Sequence, residues 1–181
     1  MLAEESIELI YDALFADEDL NVFAVLDGAS VPGLLDKLYD LNPDFYCLFR
    51  GELEPDMAEV APYLVKLDED SEFTHWVIRE GWGNHWGIFA VTDRDLRAMR
   101  RHFRAFLNVY DESGNPLHFR YYDPRVLRAF LPTCNTDELK TIFGSVVNYL
   151  AENEDTNLIR RFEVISGSLG EEDTRIKHSA N

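Results

Sequence analysis

Apolar residues recur every three or four positions in several stretches of the chain, which is the spacing of a helix with one buried face. In residues 4–16 this stripe includes Ile7, Ile10 and Leu14, so the pattern predicts a helix near the N-terminal end. The same spacing predicts further helices over 32–41, 72–80 and 93–106, and residues typical of helix starts and ends predict two more over 124–131 and 136–144. Thr92 is the expected N-cap of the helix that begins at residue 93.

Shorter apolar runs, bounded by turn residues, predict strands between these helices. The runs cover residues 21–26, 45–49, 62–67, 85–91, 146–150 and 158–165. In the first run, NVFAVL, apolar residues follow one another without alternation, as in a central strand with helices on both faces. Two further strands, 108–111 and 117–121, flank a turn at 112–115 and predict a hairpin.

The order of these elements indicates an α/β or α+β fold, because strands and helices alternate and a hairpin follows. We expect a mixed β-sheet flanked by helices, a small helical piece around 124–144 and a C-terminal hairpin. Residues 1–165 are predicted to form a single domain. Residues 166–181 are polar and lack periodicity, so they are predicted to be a flexible tail.

The composition is typical of a folded protein that does not bind nucleic acid or membranes. The chain has 181 residues, of which 46% are hydrophobic, and this is enough for a core. A formal net charge of −17 is unfavourable for contact with phosphates or an anionic bilayer. We find no apolar run near the roughly 20 residues of a membrane span, no export signal and no CxxC motif around Cys47 or Cys134. These features predict a reduced, cytoplasmic, soluble protein.

The negative charge is concentrated in the first half of the sequence. Residues 1–80 hold 20 acidic and 4 basic side chains, whereas residues 81–134 hold 5 acidic and 8 basic ones. Two interpretations are open. The acidic residues keep the protein soluble, or they form one side of a bipolar surface that orients one or two protein partners.

Residue types that carry catalysis are present, but they form no recognisable motif. The histidines are His75, His85, His102, His118 and His178, and their spacing contains no HExxH and no close pair. The GxSxG, GxGxxG and GxxxxGK[ST] patterns are also missing. We therefore predict no catalytic residue, no metal and no cofactor. An enzyme is the alternative, and it would use Asp27, His85 and Asp123.

Aromatic and arginine residues indicate protein surfaces, since Trp, Tyr and Arg dominate interface hot spots. The candidate partner-binding residues are Trp82, Trp86, Arg97, Arg101, Arg104, Tyr122 and Arg125. The two tryptophans have neighbouring glycines and either form a recess for a partner or pack in the core. Arg97, Arg101 and Arg104 lie on the basic side of the helix predicted over 93–106.

Two short motifs, Asp27-Gly28 and Asp123-Pro124, are expected to set the fold. Asp27 follows a strand, and Asp123 before Pro124 is a typical start of a helix. Because a buried carboxylate requires a partner, we expect Arg120 or Arg125 to pair with one of these two aspartates.

An ordered series of segments gives the chain a resemblance to a known family. The segments are FAVLDGASVPGLLDKLY at 23–39, YCLFRGELEPDMAEVAPYLVKLD at 46–68, FTHWVIREGWGNHWGIFAVT at 73–92, LRAMRRHFRAFLNVYDESGNPLHFRYYDPRVLRAFLPTC at 96–134 and FG at 143–144. In this order they resemble the effector-loading adaptors of bacterial type VI secretion, called Tap or Tec adaptors. The resemblance covers about residues 22–150, and its strongest part is FRYYDPRVLRAFLPTC.

The resemblance implies a non-enzymatic chaperone-adaptor in the cytoplasm. Such a protein binds the N-terminal region of a toxin, the effector, and mounts it on the C-terminal part of the VgrG spike. The family motifs map onto Asp27-Gly28 and Asp123-Pro124-Arg125. Some family members carry a longer C-terminal lobe for cargo, so residues 135–181 and the acidic first half are the candidates for that role here. The alternative is an acidic immunity protein that binds and neutralises a toxin.

Overall fold

In the computed structural model, residues 2–176 are described, and they contain seven α-helices and nine β-strands. The helices are α1 (Glu4–Leu14), α2 (Leu34–Leu41), α3 (Pro55–Val60), α4 (Glu72–Gly81), α5 (Leu96–Arg104), α6 (Pro124–Phe130) and α7 (Thr136–Phe143), with a 3-10 turn at Leu131–Thr133. The strands are β1 (Asn21–Asp27), β2 (Phe45–Cys47), β3 (Pro62–Leu67), β4 (Gly87–Thr92), β5 (Asn108–Tyr110), β6 (Pro116–His118), β7 (Val146–Glu152), β8 (Leu158–Ile165) and β9 (Ser168–Arg175).

Seven of these strands form one sheet in the order β2-β3-β1-β4-β7-β8-β9, and β5 and β6 form a separate hairpin. The α+β class with helices on the sheet is therefore confirmed. All strand pairs within the described residues are antiparallel, where a mixed sheet was expected. Whether two strands run parallel or antiparallel depends on whether the connection between them crosses to the other end of the sheet. The apolar pattern within a strand carries no information on the path of that connection.

The large sheet separates two cores, because successive side chains of a strand point to opposite faces. Val22 and Leu26 of β1 belong to the core under α1, α2 and α4. Phe23 and Val25 of the same strand belong to the core under α5, α6 and α7. The continuous apolar run in β1 is thus explained by burial on both sides, as its sequence predicted.

The two sets of helices carry opposite charge. Helices α1, α2 and α4 hold eight acidic and two basic side chains, a net of −6, and their outer surface is called the acidic face below. Helices α5, α6 and α7 hold two acidic and seven basic side chains, a net of +5, and their outer surface is called the basic face. These six helices therefore carry net charge of opposite sign on the two sides of the sheet.

The C-terminal part of the chain differs from the expected flexible tail. Residues 168–175 form β9, which pairs with β8 along its whole length through a two-residue turn at Ser166-Gly167. Both turn residues have positive φ, of 51° and 84°, as a type I′ hairpin turn requires. The strand has a polar sequence because most of its side chains are exposed, which removes the alternation that predicts a strand. Residues 177–181 of the expected tail lie outside the described part of the chain.

We expect stability to decline as the pH falls below about 6.5, and His102 of α5 to cause part of this decline. Its Nε2 atom lies 2.9 Å from the carbonyl oxygen of Ile142, and burial lowers the pKa of the ring below the ordinary histidine value of about 6.5. The unfolded chain therefore takes up the proton first, and protonation favours unfolding until the folded form also binds it. Urea denaturation at pH 7.5, 6.5 and 5.5 measures this dependence.

The variant His102→Gln should show a shallower decline over the same pH range. Asp123 and Asp173 do not interfere, because hydrogen bonds from Arg125 and Arg160 lower their pKa values and carboxylates titrate below this pH range in the unfolded chain as well. A variant whose stability falls with pH as steeply as that of the wild type would contradict the assignment to His102.

Candidate functional site

Asp27, the last residue of β1, forms the centre of a buried polar cluster. Its carboxylate is paired with the guanidinium of Arg120. It also accepts hydrogen bonds from the backbone N–H of Ala29 at 3.1 Å and from the Ser30 hydroxyl at 2.8 Å. The residue is 1% exposed, so these three donors replace the water that a buried charge loses. The expectation that Arg120 or Arg125 pairs with a buried aspartate is confirmed here.

Gly28 allows this end of β1 to lie against the loop that precedes β3. Its backbone N–H donates to the carbonyl oxygen of Ala61 at 3.0 Å. A Cβ atom at position 28 would lie 2.5 Å from that oxygen and 2.6 Å from the carbonyl oxygen of Glu59. Only a residue without a side chain fits, so Asp27-Gly28 acts as a part of the scaffold.

Asp123 has the capping role that its sequence predicted. Its carboxylate accepts from the backbone N–H of Arg125 at 2.9 Å, and from Nε and a terminal nitrogen of the Arg125 side chain at 3.0 and 2.7 Å. Burial favours the neutral acid, but the hydrogen bonds from Arg125 outweigh it and lower the pKa of Asp123. Pro124 occupies the first position of α6, where a missing N–H costs nothing. The Arg125 side chain is exposed on one side of this pair.

Tyr122 is buried, and this argues against its predicted role as a partner-binding residue. It is 2% exposed, and its hydroxyl lies 2.9 Å from Nε2 of His118. Burial and the nearby Asp27 carboxylate raise the pKa of Tyr122 to about 12. The ring fills the second core beside the Asp27–Arg120 pair. The sequence alone did not reveal the burial of Tyr122, because an aromatic residue between arginines occurs both in interfaces and in cores.

Trp82 and Trp86 also belong largely to the interior. Trp82 is 8% exposed, and its indole N–H donates to the carbonyl oxygen of Thr156 at 2.9 Å. Trp86 is half-buried and its ring lies 4.8 Å from that of Trp76. This burial favours core packing for Trp82, whose polar atom already has a partner within the chain, and its partner-binding role stays a prediction. The glycine at position 81 is needed because a Cβ there would lie 2.8 Å from the Trp86 ring.

The arginines of α5 divide into two groups. Arg97 and Arg101 are exposed on the basic face, as a partner-binding role requires. Arg104 instead donates to the carbonyl oxygens of Cys47, Leu48 and Phe49, at 2.8, 3.0 and 2.7 Å. These carbonyls end β2 at the edge of the sheet, so Arg104 has a structural role, and its partner-binding role stays a prediction.

The residues of the enzyme alternative each bind a different partner. Asp27 is paired with Arg120, Asp123 with Arg125, and Nδ1 of His85 with the carboxylate of Glu152. Of the other histidines, His75 accepts a hydrogen bond from Arg79, and His178 lies outside the described residues. Within residues 2–176, no group of three or more His, Cys, Asp or Glu side chains is arranged to hold a metal ion.

A cleft of about 650 Å³ between α6 and the β7–β8 region brings together arginines that are distant in sequence. Arg125 and Arg128 come from α6, and Arg160 comes from β8. Sequence reasoning named Arg125 but missed the other two, since nothing local connects α6 with β8. Arg128 donates to the carbonyl oxygen of Glu152, and Arg160 pairs with Glu171 and Asp173 of β9. The arginines of the cleft are thus engaged within the chain, where Arg128 links α6 to β7 and Arg160 links β8 to β9.

The fold and the cluster around Asp27 define an α+β domain whose motif residues hold the scaffold. The sequence profile of the family described as "Domain of unknown function (DUF4123)" matches residues 22–141. The chain therefore belongs to the DUF4123 family, which is the family of the Tap and Tec adaptors, and the resemblance seen in the sequence is confirmed. No curated protein and no solved structure matches the chain. In the described part of the chain, no helix has the length and apolarity needed to cross a membrane.

Proposed function

We propose that this protein is a non-enzymatic adaptor that binds a type VI secretion toxin and loads it onto the VgrG spike. The observation that carries the proposal is the DUF4123 match over residues 22–141, the stretch in which the sequence resembles such adaptors. The adaptor would act in the bacterial cytoplasm without being secreted, and it would need no cofactor. It would bind the N-terminal region of the toxin and the C-terminal region of VgrG, and it would contact neither nucleic acid nor membrane.

The arrangement of charge supports a protein that holds two partners. The acidic face and the basic face lie on opposite sides of the sheet, so two proteins can be bound without competing for one surface. Charge of opposite sign on the two faces favours a different partner on each. The charged motif residues Asp27 and Asp123 are engaged in internal ion pairs, which leaves binding to the exposed side chains of the helices.

Reversing the charge of the basic face should weaken binding of one partner about tenfold. The variant carries Arg97→Glu and Arg101→Glu, two exposed positions where the substitution changes charge without opening a core. Rim charges act mainly through long-range attraction, so the loss should be greatest at low salt. The measurement is co-purification of the variant with the toxin and with VgrG, followed by titration of each purified partner.

Arg104→Glu supplies the contrasting variant, because this substitution should lower the melting temperature by breaking the contacts to β2. Unchanged binding of both toxin and VgrG by the Arg97→Glu, Arg101→Glu variant would exclude this face as a docking surface.

Truncated toxins separate the adaptor from an immunity protein. Binding to the N-terminal segment supports the adaptor, and binding to the catalytic domain supports immunity.

A further inference from the structure

A groove of about 570 Å³ lies on the acidic face beside α1 and α4. Its aromatic lining consists of Tyr11 from α1 and of His75 and Trp76 from α4, which are all half-buried. Ser71, whose hydroxyl caps α4, lies at one end of the groove. The groove is therefore formed by α1, α4 and residues 69–71, which precede α4.

Four carboxylates line the groove, from Glu69, Asp70, Glu72 and Glu80. All four side chains are exposed, and none has an ion-pair or hydrogen-bond partner within residues 2–176. The positive charge of Arg79, which also lines the groove, is already balanced by Glu4 at 2.9 Å. The groove therefore carries a surplus of negative charge.

Two contacts show how this charge acts on the aromatic side chains. Burial raises the pKa of the Tyr11 hydroxyl, and the carboxylates of Glu69 and Asp70 raise it further. On the other side, the ammonium group of Lys37 lies 5.8 Å from the centre of the Trp76 ring. The face of an aromatic ring attracts cations, and the Trp76 indole already attracts the Lys37 ammonium group within the chain.

We propose that this groove binds a basic segment of a partner protein and accepts an arginine or lysine side chain against Tyr11 and Trp76. The exposed parts of the two rings contact the apolar stem of that side chain, and the carboxylates bind its charge. An apolar segment would leave the four carboxylates without compensation, and an acidic segment would be repelled. Charge complementarity therefore selects a basic occupant.

This inference rests on the proposed function in one respect, because it assigns the basic segment to a protein that the adaptor holds. In that case the segment belongs to the partner on the acidic face, and the Arg97 and Arg101 side chains on the opposite face contact the other partner. The two proposals are tested with different probes, so that one can fail without the other.

The first test uses a synthetic twelve-residue peptide with three arginines and its analogue with three citrullines, which keep the shape and lose the charge. Fluorescence anisotropy should show binding of the arginine peptide and at least tenfold weaker binding of the citrulline peptide. The groove variant Glu69→Gln, Asp70→Asn, Glu72→Gln should also bind the arginine peptide at least tenfold more weakly than the wild type.

The matched control is Glu52→Gln, Asp56→Asn, Glu59→Gln, which removes the same number of exposed negative charges outside the groove. Its affinity for the arginine peptide should stay within about twofold of the wild type. A third variant, Tyr11→Leu, keeps the charges and removes the phenol ring, and it should bind about fivefold more weakly. Its circular dichroism spectrum and melting temperature establish that it is folded.

Equal losses in the groove variant and the control variant would overturn the proposal, because the peptide would then respond to net charge alone. Equal affinity for the arginine and citrulline peptides would overturn it in favour of an apolar occupant. If the groove variant still co-purifies with toxin and VgrG at wild-type levels, the groove is not the docking site, while the adaptor function stands. If the arginine peptide binds in the groove but neither toxin nor VgrG co-purifies with the wild type, the adaptor function fails and the groove stands.

Discussion

Replacing Arg120 with alanine should lower the free energy of unfolding by about 3 kcal/mol, because it leaves a buried carboxylate without its ion-pair partner. The Asp27 side chain is 2% exposed, whereas that of Arg120 is 45% exposed. Removing the arginine therefore leaves a charge that water cannot reach. Removing the aspartate leaves an arginine that water can still solvate, so Asp27→Ala should cost less than Arg120→Ala. Urea denaturation of both single variants and of the double variant measures the coupling.

Arg94→Ala is the control for this comparison, because Arg94 pairs with Asp93 at 3.2 Å on the surface and both side chains are exposed. Such a pair is worth roughly 0–1 kcal/mol, so this variant should be nearly as stable as the wild type. Equal stability of the Arg120→Ala and Arg94→Ala variants would refute a structural role of the Asp27–Arg120 pair.

If Asp27→Asn and Asp123→Asn abolished an activity and left the fold intact, the enzyme alternative would be supported.

Gly87→Ala should destabilise the protein by about 3 kcal/mol, at the upper end of the usual cost of overpacking. Gly87 is the first residue of β4, opposite Leu26 of β1. A Cβ atom there would overlap the carbonyl oxygen of Val25, and it would lie 3.1 Å from the Cα of Leu26. These are backbone atoms of the central strand pair, so relief of the overlap requires movement of the sheet. Thermal and urea denaturation measure the effect.

Gly170→Ala tests whether the loss is due to backbone overlap or to any substitution of glycine in a strand. Gly170 lies in β9, and a Cβ there would meet the end of the Ile165 side chain at 2.9 Å. That side chain is exposed and can rotate away, so this variant should lie within about 0.5 kcal/mol of the wild type. A loss of similar size in both variants would contradict the role assigned to the contact between Gly87 and β1.

The elements that could be predicted from the sequence are those whose signal is local. The apolar stripe of α1, the run in β1 and the Asp123-Pro124 start of α6 depend on neighbouring residues, and the structure confirms each of them. The start of α5 was predicted three residues too early. Thr92 ends β4 and donates to the carbonyl oxygen of Ser145, and Asp95 caps the helix by accepting from the backbone N–H of Ala98.

The features that could not be predicted depend on contacts between distant parts of the chain. Arg104 has the sequence context of an exposed helix residue, but α5 packs so that its guanidinium reaches the end of β2. Strand β9 has no apolar alternation and exists because β8 offers it a partner along its length. The acidic groove joins Tyr11 to Trp76, which lie 65 positions apart in the sequence. In each case the interaction follows from the tertiary fold.

The two sets of helices also give the domain an electric dipole moment in addition to its net charge of −17, with the negative end at α1, α2 and α4 and the positive end at α5, α6 and α7. A helix is about 10 Å across, and the sheet lies between the two layers, so the charged ends are farther apart than the Debye length of about 8 Å at physiological ionic strength. A charged partner that approaches one end of the domain is screened from the charge at the other end. Its field exerts a torque on the domain, which turns the end of opposite charge towards the partner. The domain would therefore be oriented before contact, and raising the salt concentration should slow association more than it speeds dissociation.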